Sequence, residues 1–185
     1  MRHLAVRAAL GYTAALLPGS TGVEARLLAV LCVLRLRAGG RAPLPGGWLR
    51  SLRFSFPDNA VDELLDTAGL HFIPPGNGGP ALLFPELALS PRPRAGHRAQ
   101  RLLTDPQLRR HYPAVRLAAL TVAAWCEPGD ASCLLDPDSA ARGCGLTPGG
   151  LLDALTLIQT SGWLRHFEEA PSGLLRCTLH HPYTL

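Results

Sequence analysis

The sequence predicts a mainly α-helical α+β fold, in which two similar units each end in a small β-hairpin and a basic linker joins them. Apolar residues recur at helical spacing over most of the chain, the two halves repeat the same landmarks, and arginine and proline concentrate between them. The 185 residues, 47% hydrophobic and 17% charged, have a globular composition, and no apolar run is long enough to span a membrane. We place an N-terminal helix at 1–20, the first unit at 21–84, the linker at 85–112 and the second unit at 113–185.

The repeat rests on landmarks that keep their order in both halves. Thr67-Ala68-Gly69-Leu70 corresponds to Thr160-Ser161-Gly162-Trp163, and Arg26-Leu27 and Arg116-Leu117 each open an apolar helix. The offset between matched landmarks drifts from 90 to 93 residues, which is ordinary variation in loop length.

In the first unit, Thr21-Gly22-Val23-Glu24 has the form of a capping box, so it predicts the start of a helix that Gly39 and Gly40 end. After it we expect a very short strand at Leu44, a short helix at 45–52, a helix capped by Asp58 and stopped at Gly69, and strands at 70–73 and 81–84 around a turn-rich tip.

The second unit repeats this order. We expect a helix at 113–125 and a strand at 133–135, followed by two helices that begin at the N-cap and proline pairs Asp136-Pro137 and Thr147-Pro148. Strands at 163–167 and 174–179 complete the unit.

The N-terminal segment loosely resembles a signal peptide, but Arg7 and Tyr12 interrupt its apolar stretch. Leu4, Ala8 and Ala15 instead predict an amphipathic helix that docks on the rest of the chain. All 18 Lys and Arg positions are arginine, a bias typical of GC-rich codons, so we expect a high-GC bacterial genome, and the unpaired cysteines indicate a reducing cytoplasm.

The order of helix, short strand, helix, turn, helix and two-stranded wing resembles the winged helix-turn-helix family. Residues 139–147 look like the helix-turn-helix core of bacterial regulators, with a small residue at the helix contact and Thr147 capping the next helix. The resemblance is closer over 113–181 than over 21–84. It implies two tandem winged helices, each with a third helix that enters the major groove and a wing that touches the backbone.

DNA binding in gene regulation is the function that this resemblance and the charge distribution favour. Residues 1–112 hold 14 arginines against 7 acidic residues, whereas residues 113–185 hold 4 against 7. Arginine neutralises phosphate, and hydroxyl and amide groups supply further contacts. The candidate residues for binding double-stranded DNA are Arg41, Arg50, Ser51, Arg53, Ser55, Asn59, Arg92, Arg94, Arg98, Arg101, Arg142, Thr147, Arg165 and Arg176.

Acidic residues in the predicted third helices argue for a different partner. The first of these helices holds four, and the second offers Asp153 and no arginine. The alternatives are therefore a winged-helix adaptor that binds protein or dimerises through the second unit, and a plasmid-type replication or partition factor. The linker, in turn, is either a basic arm on DNA or a solvated connector. The acidic residues of the first helix are Asp58, Asp62, Glu63 and Asp66.

No sequence motif indicates catalysis, a cofactor or a metal. The chain lacks a nucleophile elbow, a P-loop, a dinucleotide-binding turn and an HExxH motif. Its five cysteines form no C-x-x-C pair, so we expect buried free thiols, with redox sensing through Cys126, Cys133 or Cys144 as the alternative. The three tryptophans are expected to anchor the core.

Overall fold

A computed structural model describes residues 2–74, 79–84, 93–127 and 129–180, which form eight α-helices and two three-stranded antiparallel sheets. The predicted mainly α-helical α+β class is confirmed. A 3₁₀ turn at Ala38–Gly40 precedes the first strand. In chain order the elements are α1 (Arg2–Leu16), α2 (Val23–Leu34), β1 (Arg41–Pro43), α3 (Gly46–Ser51), α4 (Pro57–Ala68), β2 (His71–Ile73), β3 (Ala81–Leu83), α5 (Pro93–Leu103), α6 (Pro113–Trp125), β4 (Ser132–Leu135), α7 (Pro137–Cys144), α8 (Pro148–Thr160), β5 (Leu164–Glu169) and β6 (Leu175–Leu179).

The same order of elements occurs twice, as the landmarks predict. Helix, strand, two helices and a hairpin follow one another from α2 to β3 and again from α6 to β6. The sheets also correspond, because each has its last strand in the middle: the orders are β1-β3-β2 and β4-β6-β5. The predicted strand at Leu44 lies slightly earlier, in β1, and Leu44 itself is buried behind it.

Both repeats share one continuous hydrophobic core. Helices α2 and α6 are buried on nearly every side, which their all-round apolar sequences favour, and α1 and α5 pack against both of them. The described part of the linker therefore belongs to the core, since Ala99, Leu103 and Leu108 are fully buried. A fully solvated connector is wrong for this segment, because its apolar residues fall on one face of α5.

Two buried arginines tie each repeat to the other. Arg26 of α2 and Arg116 of α6 occupy matched positions and are only 2% and 1% exposed. Arg26 donates to the carbonyls of Pro18 and Thr21 and lies against Gly145, in the turn after α7. Arg116 donates to the carbonyl of Leu52, in the turn after α3. Burial lowers the pKa of both guanidinium groups.

The capping box predicted at Thr21-Gly22-Val23-Glu24 is wrong, although a helix begins there. Gly22 is the N-cap of α2 and receives no side-chain hydrogen bond from within the box. Its backbone N–H instead donates to Oε1 of Glu63 in α4, at 2.6 Å. A carboxylate supplied by another helix therefore replaces the local cap.

The start of α4 also differs from the prediction. Phe56 is the N-cap and Pro57 begins the helix, so Asp58 lies in the first turn and does not cap it. Glu24 of α2 accepts the backbone N–H groups of Ser55 and Phe56, at 2.8 and 3.3 Å. Helices α2 and α4 thus cap each other's starts with glutamates.

In the second repeat the predicted caps are confirmed. The side chain of Asp136 accepts the N–H of Ser139 at 3.1 Å, and that of Thr147 accepts the N–H of Gly150 at the same distance. These signals are local in sequence, so they do not depend on distant parts of the chain.

Helix α1 docks on the core, but through a different face from the predicted one. Its buried residues include Val6, Ala9 and Leu10, whereas Leu4, Ala8 and Ala15 are exposed. The polar residues explain the choice of face. His3 Nδ1 lies 3.2 Å from the carbonyl oxygen of Ala123, and Arg7 Nε donates to that of Ala124 at 2.7 Å. Both side chains therefore contact carbonyl groups at the C-terminal end of α6.

The tryptophans lie in or against the core. Trp48 and Trp163 are buried core residues as predicted, and Trp125 is half-buried, with the Arg7 guanidinium stacked on its ring.

Replacing Glu63 with alanine is expected to lower the free energy of unfolding by about 1 to 2 kcal/mol, because the Gly22 N–H loses its charged acceptor. Asp66→Ala is the matched control, since Asp66 is an exposed carboxylate on the same helix. Urea denaturation of both variants measures the difference. Equal midpoints would show that the hydrogen bond between Gly22 and Glu63 contributes nothing to the free energy of unfolding.

Candidate nucleic-acid interface

Helix α5 is fixed alongside α3 by a short chain of polar contacts. Arg35, at the end of α2, donates from Nη1 to Oε1 of Gln100 at 3.2 Å, and Gln100 Nε2 lies 3.5 Å from Oγ of Ser51. The Arg35 guanidinium also lies over the ring of Trp48, 4.7 Å from its centre. A Cβ on Gly96 would be 3.0 Å from the Leu34 carbonyl oxygen, so α5 reaches α2 this closely only because residue 96 is a glycine.

These contacts place Gln100 of α5 beside Ser51 of α3, so the segments that carry Arg101 and Arg50 run close to each other. Arg94 and Arg101 are exposed on α5 and lie seven residues apart, which places them on one side of the helix. Arg50 is exposed on α3, and Arg53 is exposed in the turn after it, with a φ of 50°. We use the name basic face for the exposed arginines between α2 and the end of β1, on α3 and in the turn after it, and on α5. It consists of Arg37, Arg41, Arg50, Arg53, Arg94 and Arg101.

Arginines lie close to one another around α3. Burial is the main cause that lowers the pKa of Arg35, and the neighbouring charge of Arg37 lowers it further. Burial also lowers the pKa of Arg116, where Arg53 acts in the same direction against the larger opposing effect of Glu24. Across the described ranges, no ion pair reaches an arginine of the basic face. The basic face therefore has unneutralised positive charge available for an anionic partner.

Some predicted DNA-binding residues stand apart from this surface or are partly committed. Ser51 belongs to the contact with α5, and its hydroxyl donates to the Trp48 carbonyl at 2.7 Å. Ser55 and Asn59 are exposed at the start of α4, next to acidic side chains. Arg98 is half-buried on α5, and Arg92 lies outside the described residues.

The predicted residues of the second repeat have local partners. Arg142 donates to Oγ of Ser139 at 3.1 Å, and Arg176 pairs with Glu168 at 3.3 Å. The hydroxyl oxygen of Thr147 accepts the hydrogen bond that caps α8. Arg165 is exposed on β5, a strand that ends in Glu168 and Glu169. This surface carries charges of both signs.

Neither third helix presents a basic surface. Helix α4 exposes Asp58, Asp62 and Asp66 at intervals of four residues, although Glu63 is half-buried and points to α2. Helix α8 exposes Asp153 beside Leu152 and Leu157. A phosphate backbone is therefore repelled where the family resemblance implies insertion into the groove.

Sequence reasoning missed Gln100 and left Arg37 out of the predicted set. The Arg35-Leu36-Arg37 spacing at the end of a helix was a usable signal for a second basic side chain. Gln100 carried no such signal, because its role depends on Ser51, which is 49 residues away.

The cysteines are buried free thiols, as predicted. Burial raises the pKa of Cys144 to about 11 and that of Cys32 further, so both stay protonated at neutral pH. Cys133 lies opposite Cys177 in the pairing of β4 with β6, on the buried side of that sheet. Burial disfavours redox sensing by all five thiols, and protonation disfavours it further for Cys32 and Cys144.

Neither the described residues nor the comparisons with known proteins indicate a functional class for this protein. The described residues contain no group of three or more His, Cys, Asp or Glu side chains placed to hold a metal ion. None of the described helices combines the length and hydropathy needed to cross a bilayer. The chain matches no protein-family model, no characterised protein and no solved structure.

Proposed function

We propose that this chain is a DNA-binding protein that contacts the phosphate backbone through the basic face. The contact chain from Arg35 through Gln100 to Ser51 carries the proposal, because it holds α5 beside α3, and both helices expose arginines. A surface with several arginines that form no ion pair within the described part of the chain favours a polyanion.

We further propose that the two repeats are winged-helix units in tandem. Their order of elements, and the central position of the last strand in each sheet, support this assignment. The units then act mainly as a scaffold for the basic face, because α4 and α8 lack basic side chains. Binding through phosphates positions a protein on DNA with limited sequence discrimination. A cytoplasmic regulator, or a replication or partition factor, fits this mode.

Protein binding by the second repeat is a second candidate function. Helix α8 exposes Leu152 and Leu157 beside Asp153, and β4 exposes Leu134. Exposed apolar residues with little positive charge favour a protein surface over DNA. A homodimer or another protein could cover them while the basic face holds DNA.

The test is fluorescence anisotropy of the full chain with a mixed-sequence DNA duplex, at salt concentrations from about 50 to 200 mM. About four phosphate contacts predict a slope of about −3.6 in log K against log salt, which is about a 10²-fold loss of affinity over this range. An absence of binding at the lowest salt would overturn the proposal, and salt-independent binding would exclude the phosphate mode.

A further inference from the structure

The first repeat contains an apolar groove on the side of α3 that does not carry α5. The groove has a volume of about 420 Å³ and is open to solvent. Leu49 of α3, Val61 and Leu65 of α4, and Phe72 of β2 line it together with the carboxylates Asp58 and Asp62. Within α3, Leu49 thus contributes to this groove while Ser51 contacts α5.

Large apolar side chains at and near the groove are exposed. Phe72 keeps 45% of its surface in solvent, and Phe56, just before α4, keeps 65%. Burying the exposed part of such rings is favourable by about 25 cal/mol per Å² of apolar area, so this surface gains when a partner covers it.

The shape and length of the groove favour a helical segment. Its lining runs from residue 58 to residue 65 of α4, a span of about 10 Å at 1.5 Å per residue. This length matches about two turns of a helix, which presents apolar residues at intervals of three and four. Across the groove from α4, Phe72 of the β2–β3 hairpin contributes to the lining.

The charge along the groove determines which helix fits. Asp58, Asp62 and Asp66 are exposed at intervals of four residues, so they form one acidic row along α4. DNA is repelled by this row. The exposed apolar surface of α8 in a second copy is also unsuitable, because Asp153 lies beside Leu152. A partner helix with Lys or Arg flanking its apolar residues is complementary to both the groove and the row.

We propose that the groove between α4 and the β2–β3 hairpin binds a basic amphipathic helix of a partner protein. This site is separate from the basic face, because α3 lies between the two. Leu49 of α3 lines the groove, whereas Arg50 belongs to the basic face. The chain then holds DNA on one side of the first repeat and a protein on the other. The inference does not depend on DNA binding, because no arginine of the basic face lines the groove.

Two fluorescein-labelled peptides of 18 residues test the proposal by anisotropy with the full chain. Both carry leucines at the same helical spacing, and their flanking residues are lysine in one and glutamate in the other. The lysine peptide is expected to bind, and the glutamate peptide is not. Asp58→Asn with Asp62→Asn should weaken the lysine peptide about tenfold at low salt. Phe72→Ala should weaken it at least as much at any salt concentration.

Asp138→Asn is the matched control, because it removes an exposed carboxylate from α7, outside the groove, and it should leave peptide affinity unchanged. Circular dichroism melting confirms that each variant is folded, and all of them should bind DNA at least as well as the parent chain. Equal binding of the two peptides, failure of both to bind, or full affinity in the groove variants would overturn the inference. None of these results bears on DNA binding, which the anisotropy of the DNA duplex reports separately.

Discussion

Gly145→Ala is expected to lower the free energy of unfolding by about 2 to 4 kcal/mol, far more than the same change at Gly69. Both glycines follow a helix in the left-handed conformation, with φ values of 66° and 60°. Alanine costs about 1 kcal/mol in that conformation, and this cost is common to the two sites. The remaining 1 to 3 kcal/mol comes from overpacking at Gly145 alone.

The overpacking arises at the contact between the repeats. A Cβ at position 145 would be 2.6 Å from Cδ of Arg26, and it would also overlap Nε. Arg26 cannot easily move, because it is buried and its guanidinium is bound to the carbonyls of Pro18 and Thr21. A Cβ at Gly69 would have no neighbour within 4 Å, which makes Gly69→Ala the matched control.

Urea denaturation of the two variants measures the comparison. A similar loss of stability in both variants would mean that Arg26 can move aside without energetic cost. The contact between Arg26 and Gly145 would then contribute little to the free energy of unfolding. A larger loss in Gly145→Ala would show that the turn after α7 is held by the first repeat. Melting of the chain in one transition is also expected, since both repeats share a core.

The order of elements could be predicted because its signals are local. Gly69 and Gly162 both have positive φ where the sequence predicts helix ends, and Asp136 and Thr147 cap the helices they precede. Each signal depends on residues at most a few positions apart, so the distant part of the chain need not be known.

The cap of α2 and the docking face of α1 could not be predicted in the same way. At Gly22, a carboxylate 41 residues away took the place of the local capping box. In α1, the small residues on both faces left hydropathy indecisive, and the hydrogen bonds of His3 and Arg7 to α6 accompany burial of the other face. Such choices depend on tertiary partners.

The site was predictable in composition but not in arrangement. Arg50, Arg53, Arg94 and Arg101 stand out as basic residues in the sequence, and all four are exposed. The position of α5 relative to the first repeat depends on its packing against α2, where Gly96 permits the close approach. The reciprocal contacts of Arg26 and Arg116 were likewise hidden, although the repeat had already matched the two positions.

Replacing Arg50, Arg94 and Arg101 with alanine together is expected to weaken DNA binding by about 10²-fold near 100 mM salt. The slope of log K against log salt should become shallower by about 2.7, because three phosphate contacts are lost. All three side chains are exposed, so the change should leave the melting temperature nearly unaltered. Anisotropy with the mixed-sequence duplex, repeated at several salt concentrations, gives both quantities.

The matched control removes the same charge from the second repeat, by replacing Arg142, Arg165 and Arg176 with alanine. Both triple variants lower the net charge by three, so a nonspecific effect of total charge would weaken DNA binding equally in each. We expect the control to lose less than about threefold in affinity and to keep its salt slope, because Arg142 and Arg176 already have local partners. If the control loses as much as the first variant, the DNA contact is not confined to the basic face. If only the control loses affinity, the contact belongs to the second repeat, and the role proposed for α5 and α3 is wrong.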